Sequence, residues 1–401
     1  MTIALVSPSR FASMSEGLPR TYWYLWAGML VNRLGSFVMP LLMVYLTTEK
    51  GLSLVTAGAV VSGYGAGSLG GTTLGGVLAD RIGRRTTLLI SLITSSVSML
   101  AVATAPTLAT LAVSVVLVGL TSAMYQPSTQ AMIADLVAPQ FRVKAFSYWY
   151  WAANLGFSMA ALVGGFIAAK HFSLLFLLDA ATMLVFAAVV WRLPETRQET
   201  HAQATGSVLT PFLDARFGPF LALSFLGAFV LMQHLSLLPA DMTLKHFGPS
   251  DYGMVIAMNG VIIVLLQPTV ARLVMRGSRR KWLAMASLIL GIGFGLTAFA
   301  NTVGLYAMTV VVWTLGEVIF APLNSSIVSD YAPSHLRGRY QGAYSLTWSL
   351  AMMLAPTVSP WVVALTSMTT FWYLCALLGA LTALGNLFFI DRGQQAITAL
   401  K

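Results

Sequence analysis

Two ionisable residues stand isolated inside long apolar runs of this chain. Glu317 lies in WTLGEVIFAP, residues 313–322, and Arg33 lies in LVNRLGSF, residues 30–37. Both runs are long enough to cross a bilayer. Glu317 is about 13 residues into its run, or about 20 Å at 1.5 Å per residue, and Arg33 is about 11 residues into its own, so both charges fall near the middle. A charge at that depth costs about 2.5–3.5 kcal/mol on insertion scales and rarely sits there unpaired or idle. A glutamate held in hydrocarbon loses the hydration of its charged form, so it can take up and release a proton as its surroundings change. An approaching cation favours the carboxylate again, and proton and cation then compete for one group. Arg33, which follows Asn32, could balance Glu317 across a central space or hold an anionic group. The simpler alternatives are a structural glutamate bonded to a neighbouring helix and an arginine that pairs with backbone carbonyls.

Amides and aromatic rings at similar depth complete a candidate binding surface: Tyr125 and Gln126; Tyr148, Trp149, Trp151 and Asn154 in SYWYWAAN; Gln233 and His234; Asn259; Trp313 and Asn324; Tyr344 and Trp348. Aromatic faces attract organic cations, by about 2 kcal/mol or more when desolvated. The 20 methionines add adaptable apolar surface. The competing explanation for each ring is packing or anchoring at the membrane interface. His234 reads best as a satisfied histidine between helices, Asp179 as structural, and Asp241 as either gate or interface. Cys375 is the single cysteine, which excludes an internal disulfide, and it reads as a small packing residue. Phosphate-loop spacing is absent, and the five histidines are scattered with no cysteine in range, so neither ATP hydrolysis nor a metal centre is indicated. No cofactor is expected.

The elements that must position these residues are twelve apolar spans, over about 22–46, 54–79, 86–105, 108–135, 145–169, 172–192, 218–242, 251–275, 282–300, 303–329, 338–366 and 370–390. Residues 193–217 form the one long polar stretch and read as a linker between two six-helix bundles, 22–192 and 218–390, with tails at 1–21 and 391–401. The halves repeat at an offset of 195: Pro127 maps to Pro322, Asp135 to Asp330, Arg142 to Arg337, Lys144 to Arg339, and Arg84-Arg85 to Arg279-Arg280. Duplicated halves of this kind place a binding site between them near the bilayer midplane. Asp135 and Asp330 are expected to pair with Arg142 and Arg337, as solvated loop pairs or as part of a gate.

With 57% hydrophobic and 9% charged residues in 401, the chain is unlike a soluble protein, in which charge is nearer a quarter. The net charge of +10 would suit nucleic acid, but its placement does not. Of 23 Lys and Arg, 19 fall in the tails and loops of one side; Lys50, Lys170 and Lys245 fall on the other, and Arg33 falls inside a span. That asymmetry predicts a multi-pass protein with both termini in the cytoplasm and no nucleic-acid partner. Residues 1–20 lack a signal-peptide pattern, so the first helix is expected to stay as an anchor.

The loop after the second span reads GSLGGTTLGGVLADRIGRR, with Gly67 and Gly76 nine apart and Asp80, Arg81, Gly83, Arg84 and Arg85 at fixed offsets beyond. It resembles the signature loop of the major facilitator superfamily, G-x8-G-x3-D-R-x-G-R-R. The resemblance implies an all-α membrane fold of twelve helices in two pseudo-symmetric bundles, rocking between inward- and outward-open states. It also implies that Asp80 docks on a helix end of the opposite half when the protein faces outward. The Leu-Gly-Glu of the tenth span is similar to the tenth helix of twelve-helix bacterial drug:proton antiporters. Two departures stand beside that likeness: Ala160 and Ala161 replace the Gly-Pro of the antiporters' fifth-helix motif, which Gly156, Gly164 and Gly165 otherwise follow, and Val115 stands where an arginine is usual. By this resemblance the chain is a monomeric secondary transporter, not an enzyme, of the bacterial inner membrane. It would export amphipathic or cationic compounds on the proton gradient, with Glu317 as proton carrier and Arg33 as its electrostatic partner. The alternatives are a proton-coupled carrier of one metabolite (sugar, amino acid, peptide, siderophore or lysolipid) and a membrane sensor that has lost transport.

Overall fold

The computed structural model describes residues 17–196, 210–274, 278–333 and 336–398. Among the described residues the chain forms twelve helical spans. These are α1 (Arg20–Leu34, resumed as Val38–Val44), α2 (Leu54–Ile82), α3 (Arg84–Thr104), α4 (Leu108–Ala123, resumed as Tyr125–Leu136), α5 (Arg142–Ala168), α6 (Phe172–Trp191), α7 (Phe217–Leu231, resumed as Leu237–Leu244), α8 (Pro249–Val274), α9 (Arg279–Leu296), α10 (Val303–Tyr331), α11 (Arg337–Leu365) and α12 (Met368–Thr398). Eleven of these are long and apolar enough to cross a membrane. The exception is α2, whose 29 residues include eight glycines that lower its hydropathy while leaving its length ample.

The spans alternate between a basic face, which carries Arg20, the Asp80–Arg85 loop and Arg216, and an opposite face. Hydroxyl side chains start many of the helices that leave the opposite face. Ser53 accepts the Thr56 amide at 3.2 Å, Thr107 and Thr110 form a reciprocal capping box, Thr302 accepts the Leu305 amide and Ser367 the Thr370 amide. Each satisfies a donor that a helix cannot satisfy itself, which matters most where water is scarce.

Three spans expected to be continuous are broken. In α1 and α7 the second piece carries proline as its third residue, Pro40 and Pro239. Proline fits the first turn of a helix but offers no amide to the turn before it, so the incoming helix must stop. In α4 the break at Met124 precedes Pro127 by one turn. Its counterpart Pro322 sits inside an unbroken α10. Asp179 of α6, 2% exposed, accepts the Val38 amide at 3.2 Å and so caps the restart of α1.

The halves meet along two seams, α5 with α8 and α2 with α11, and through the short second pieces of α1 and α7. Both seams are tight toward the opposite face. An added methyl at Gly165 would lie 2.6 Å from the Pro249 carbonyl, and one at Gly65 would lie 2.5 Å from the Met353 amide. Toward the basic face Gly76 of α2 and Gly342 of α11 have nothing within 4 Å of such a methyl. The α2–α11 seam is therefore tight toward the opposite face and open toward the basic one.

Candidate transport site

Glu317 rides on α10, half-buried, and its Oε2 accepts a 2.6 Å hydrogen bond from Asn259 Nδ2 of α8. The same amide also donates to Thr314 Oγ1, one turn earlier on α10, at 3.1 Å. No basic side chain pairs with Glu317 among the described residues. From the other half, Tyr150 of α5 lies within electrostatic reach of Glu317 and of Tyr344 on α11, and Tyr344 is in hydrogen-bond range of Trp348 and Ser325. Asn259 adjoins Gly260, where α8 packs directly on the Asn154 backbone and Ser158 side chain of α5. The carboxylate is thus bonded to the helix that closes the opposite face, one residue from the point of closest approach.

Arg33 does not form an ion pair with Glu317, contrary to the expected pairing. Its guanidinium lies 5.3 Å from the centre of the Tyr125 ring, its backbone packs on Gly156, and its buried Nε has no hydrogen-bond partner. Tyr64 of α2 lies within electrostatic reach of both Arg33 and Asp179. The two midplane charges therefore sit in separate halves, Glu317 on an amide and Arg33 on an aromatic ring.

Several other candidates prove to be packing residues. Trp313 is 1% exposed and stacked on Phe294 at 5.2 Å, within the core. Asn324 joins α10 to α7 through Ser224, and Gln233 donates to the Phe229 carbonyl; both are buried. His234 is held by the Leu231 carbonyl at 2.6 Å between Phe157 and Trp313, a satisfied histidine. Asn32 is buried in α1, and Trp149 is partly buried. Tyr148 packs on Trp23 and Trp151 on Trp26, so these rings tie α5 to α1. Gln126 is exposed, and Asn154 donates to the Tyr150 carbonyl. Asp241 belongs to a cluster with Lys245 (3.2 Å) and Tyr306 (2.7 Å) that ties α7 to α10. Tyr150 lies outside the expected set, which holds its neighbours Tyr148, Trp149 and Trp151; its place one turn before Asn154 is the sequence signal that points to it.

The signature loop is built around Arg84, whose side chain is 8% exposed. It bridges Asp80 at 3.3 Å and Asp135 at 3.2 Å and donates to the Ala79 carbonyl at 3.0 Å. In the second half Arg279 pairs with Asp330, the same pair moved by 195. Asp135 thus pairs with the loop arginine rather than with Arg142, and Asp330 pairs with the counterpart Arg279. Arg142 instead donates to the Val137 carbonyl, and the Arg337 side chain lies outside the described residues. Gly83 turns the chain at φ 102°, a conformation open to glycine. Glu195, in the sequence simply one polar residue of the linker, reaches back to accept the Arg85 and Thr86 amides at 2.9 and 3.0 Å. Arg85 donates to the Trp191 carbonyl at 2.6 Å, Arg81 is exposed, Gly67 packs α2 on α4, and Asp80 is 74% exposed, with no bond to the other half among the described residues. At the linker's end Asp214 accepts from the Arg216 amide and from Tyr340. Burial pushes that carboxyl up, but the Arg216 amide, the Tyr340 hydroxyl and the Arg216 guanidinium together hold it below the usual carboxylate range.

A family model described as Major Facilitator Superfamily matches residues 25–248 and 235–399, one match for each half. The chain belongs to the Major Facilitator Superfamily. Among Major Facilitator relatives it is 27% identical over 348 residues to the uncharacterized MFS-type transporter YttB of Bacillus subtilis (strain 168), covering 84% of this chain and 87% of that protein. It is 25% identical over 390 residues to the Na(+), Li(+), K(+)/H(+) antiporter of Planococcus maritimus, covering 88% and 91%. Over a shorter stretch of 131 residues, 33% of this chain and 34% of the other, it is 32% identical to the quinolone resistance protein NorA of Staphylococcus aureus (strain Mu50 / ATCC 700699). The peptide transporter POT in complex with sulfate superposes with a TM-score of 0.80 at 17% identity, covering 98% and 99% of the two chains. The D-xylose-proton symporter superposes at 0.77 and 19%, covering 94% and 98%. This Major Facilitator chain is a multi-pass membrane transporter, not an enzyme.

Proposed function

We propose that this transporter exports amphipathic or cationic organic compounds in exchange for protons. It would do so in a bacterial plasma membrane, with its basic face and both termini in the cytoplasm and residues 193–217 tethering the bundles 22–192 and 218–390. The observation that carries this reading is Glu317: half-buried, without a basic partner among the described residues, and bonded through Asn259 to the helix of the α5–α8 seam. On this reading the open basic end of the α2–α11 seam marks an inward-open state. A cationic solute entering from the cytoplasm would meet Tyr150, Tyr344 and Trp348 and stabilise the Glu317 carboxylate, and the acid would release its proton to that side. After the bundles rock, the solute leaves outward, Glu317 is protonated from outside, and the neutral acid returns inward. The antiporter relative supports exchange, and the stretch similar to a quinolone resistance protein supports an organic compound as the exported solute.

Dye transport in proteoliposomes under an imposed pH gradient tests this. Wild type should accumulate a lipophilic cationic dye against its gradient, and Glu317→Gln should not. Equal transport by both would make Glu317 structural and end the proposal. A second reading, a carrier for a metabolite with an anionic group, draws on Arg33, which has no acidic partner among the described residues. Thermal stabilisation by a metabolite but by none of a panel of cationic dyes would favour it.

A further inference from the structure

The α2–α11 seam holds an arrangement that the signature loop does not explain. Pro356 and Pro360 lie inside α11. Neither has an amide hydrogen, so the carbonyls one turn earlier, those of Met352 and Pro356, have no donor within their own helix. In a membrane such groups must find partners elsewhere. The Pro356 carbonyl faces Gly58 of α2, and the peptide unit joining Met352 to Met353 packs on Gly65. A methyl on Gly58 would overlap the Pro356 carbonyl oxygen and lie 2.9 Å from Pro360 Cγ; one on Gly65 would lie 2.8 Å from the Met352 carbonyl carbon. Between them Thr357 donates to Ser62 Oγ at 2.5 Å, directly joining side chains of the two halves. Residues 58, 62 and 65 occupy one face of α2, and 352, 356, 357 and 360 one face of α11.

We infer that these residues form a backbone seal that closes the transport path at the opposite face, and that the two prolines make it reversible. In the closed state the freed Pro356 carbonyl rests against Gly58, a weak Cα–H contact that only a residue without a side chain permits. When the bundles rock and the seam opens to water, the same carbonyl is hydrated instead. Neither state leaves it unsatisfied, so the seal can part without breaking helical hydrogen bonds. Eleven residues nearer the basic face on each helix, about 16 Å along, Gly76 and Gly342 stand in open space. The seam pivots between those levels.

The test uses full-length protein in nanodiscs with Cys375→Ser, and spin labels at Glu49→Cys and Leu365→Cys, exposed positions near the opposite face in the two halves. Double electron–electron resonance reads the distance between them. Gly58→Ala should raise the ratio of long to short distances by about tenfold, the equivalent of about 1.4 kcal/mol. Gly218→Ala, whose added methyl meets nothing within 4 Å, should leave the ratio unchanged. Thr357→Val removes the hydroxyl without adding bulk and guards against a misfolded glycine variant. It should move the ratio in the same direction by a few-fold, and Thr357→Ser should restore it. If Gly58→Ala or Thr357→Val folds and gives the wild-type distribution, the seal is elsewhere. These outcomes do not depend on Glu317 or on protons, so the proposed exchange and this seal can fail separately.

Discussion

Replacing Arg84 by glutamine should separate stability from transport at the signature loop. Arg84 is 8% exposed at its side chain, Asp135 11% and Asp80 74%. Removing the guanidinium strands the Asp135 carboxylate in a nearly dry site and removes a bond to the Ala79 carbonyl. Breaking a buried pair from one side costs about 3–5 kcal/mol, and the residual exposure of Asp135 places the loss near the lower bound. Asp80→Asn removes only the exposed arm of the same bridge, where an ion pair is worth about 0–1 kcal/mol. Tryptophan fluorescence during thermal unfolding in detergent should therefore show a large fall in Tm for Arg84→Gln and almost none for Asp80→Asn. In proteoliposomes Asp80→Asn should nonetheless slow transport, because its exposed carboxylate, held here only by Arg84, is the group expected to dock on the opposite half in the other state. Equal destabilisation by the two variants would refute the burial argument. A stable Asp80→Asn protein with normal transport would remove Asp80 from the gate.

Gly83→Ala forces a side chain into a positive-φ turn and against the Glu195 carboxyl, so Tm should fall, with a cost of about 1–3 kcal/mol; an unchanged Tm would mean that Glu195 does not anchor the linker. Asn259→Leu should weaken proton-driven transport while Glu317 remains, since the carboxylate loses its link to α8; normal transport would refute that role. The Asp214 carboxyl is depressed in the folded protein, so its contribution is complete above the ordinary aspartate value of about 4 and is lost as pH falls through the lower folded value. Asp214→Asn should flatten the acid limb of a plot of Tm against pH, and a profile identical to wild type would exclude the clamp.

Much of this could be read from residue order, because membrane spans and their charge asymmetry are set by hydrocarbon thickness and by Lys and Arg placement. The 195-residue offset even contained the right ion pairs, since Arg84 and Asp135 map jointly onto Arg279 and Asp330. Sequence proximity points Asp135 to Arg142 instead, whereas folding brings the start of α3 beside the end of α4. The breaks in α1 and α7 were written in Pro40 and Pro239 but hidden by unbroken hydropathy. Residue type did not separate Trp313, a core ring, from Trp348, which lies beside Tyr344, because which face of a helix meets which neighbour is a property of the packed bundle.

The break in α1 also bears on how membrane voltage acts on the cycle. Glu317 is carried by an unbroken 29-residue helix, so its depth is fixed by helix geometry. Arg33 stands two residues before a joint, so its depth can change when the joint bends. A unit charge crossing the whole membrane gains or loses about 2.3 kcal/mol per 100 mV, and a shift through a tenth of that field is worth about 0.2 kcal/mol. Electrical work done by bending of this joint therefore falls on Arg33, while under the proposed exchange Glu317 would contribute through its proton.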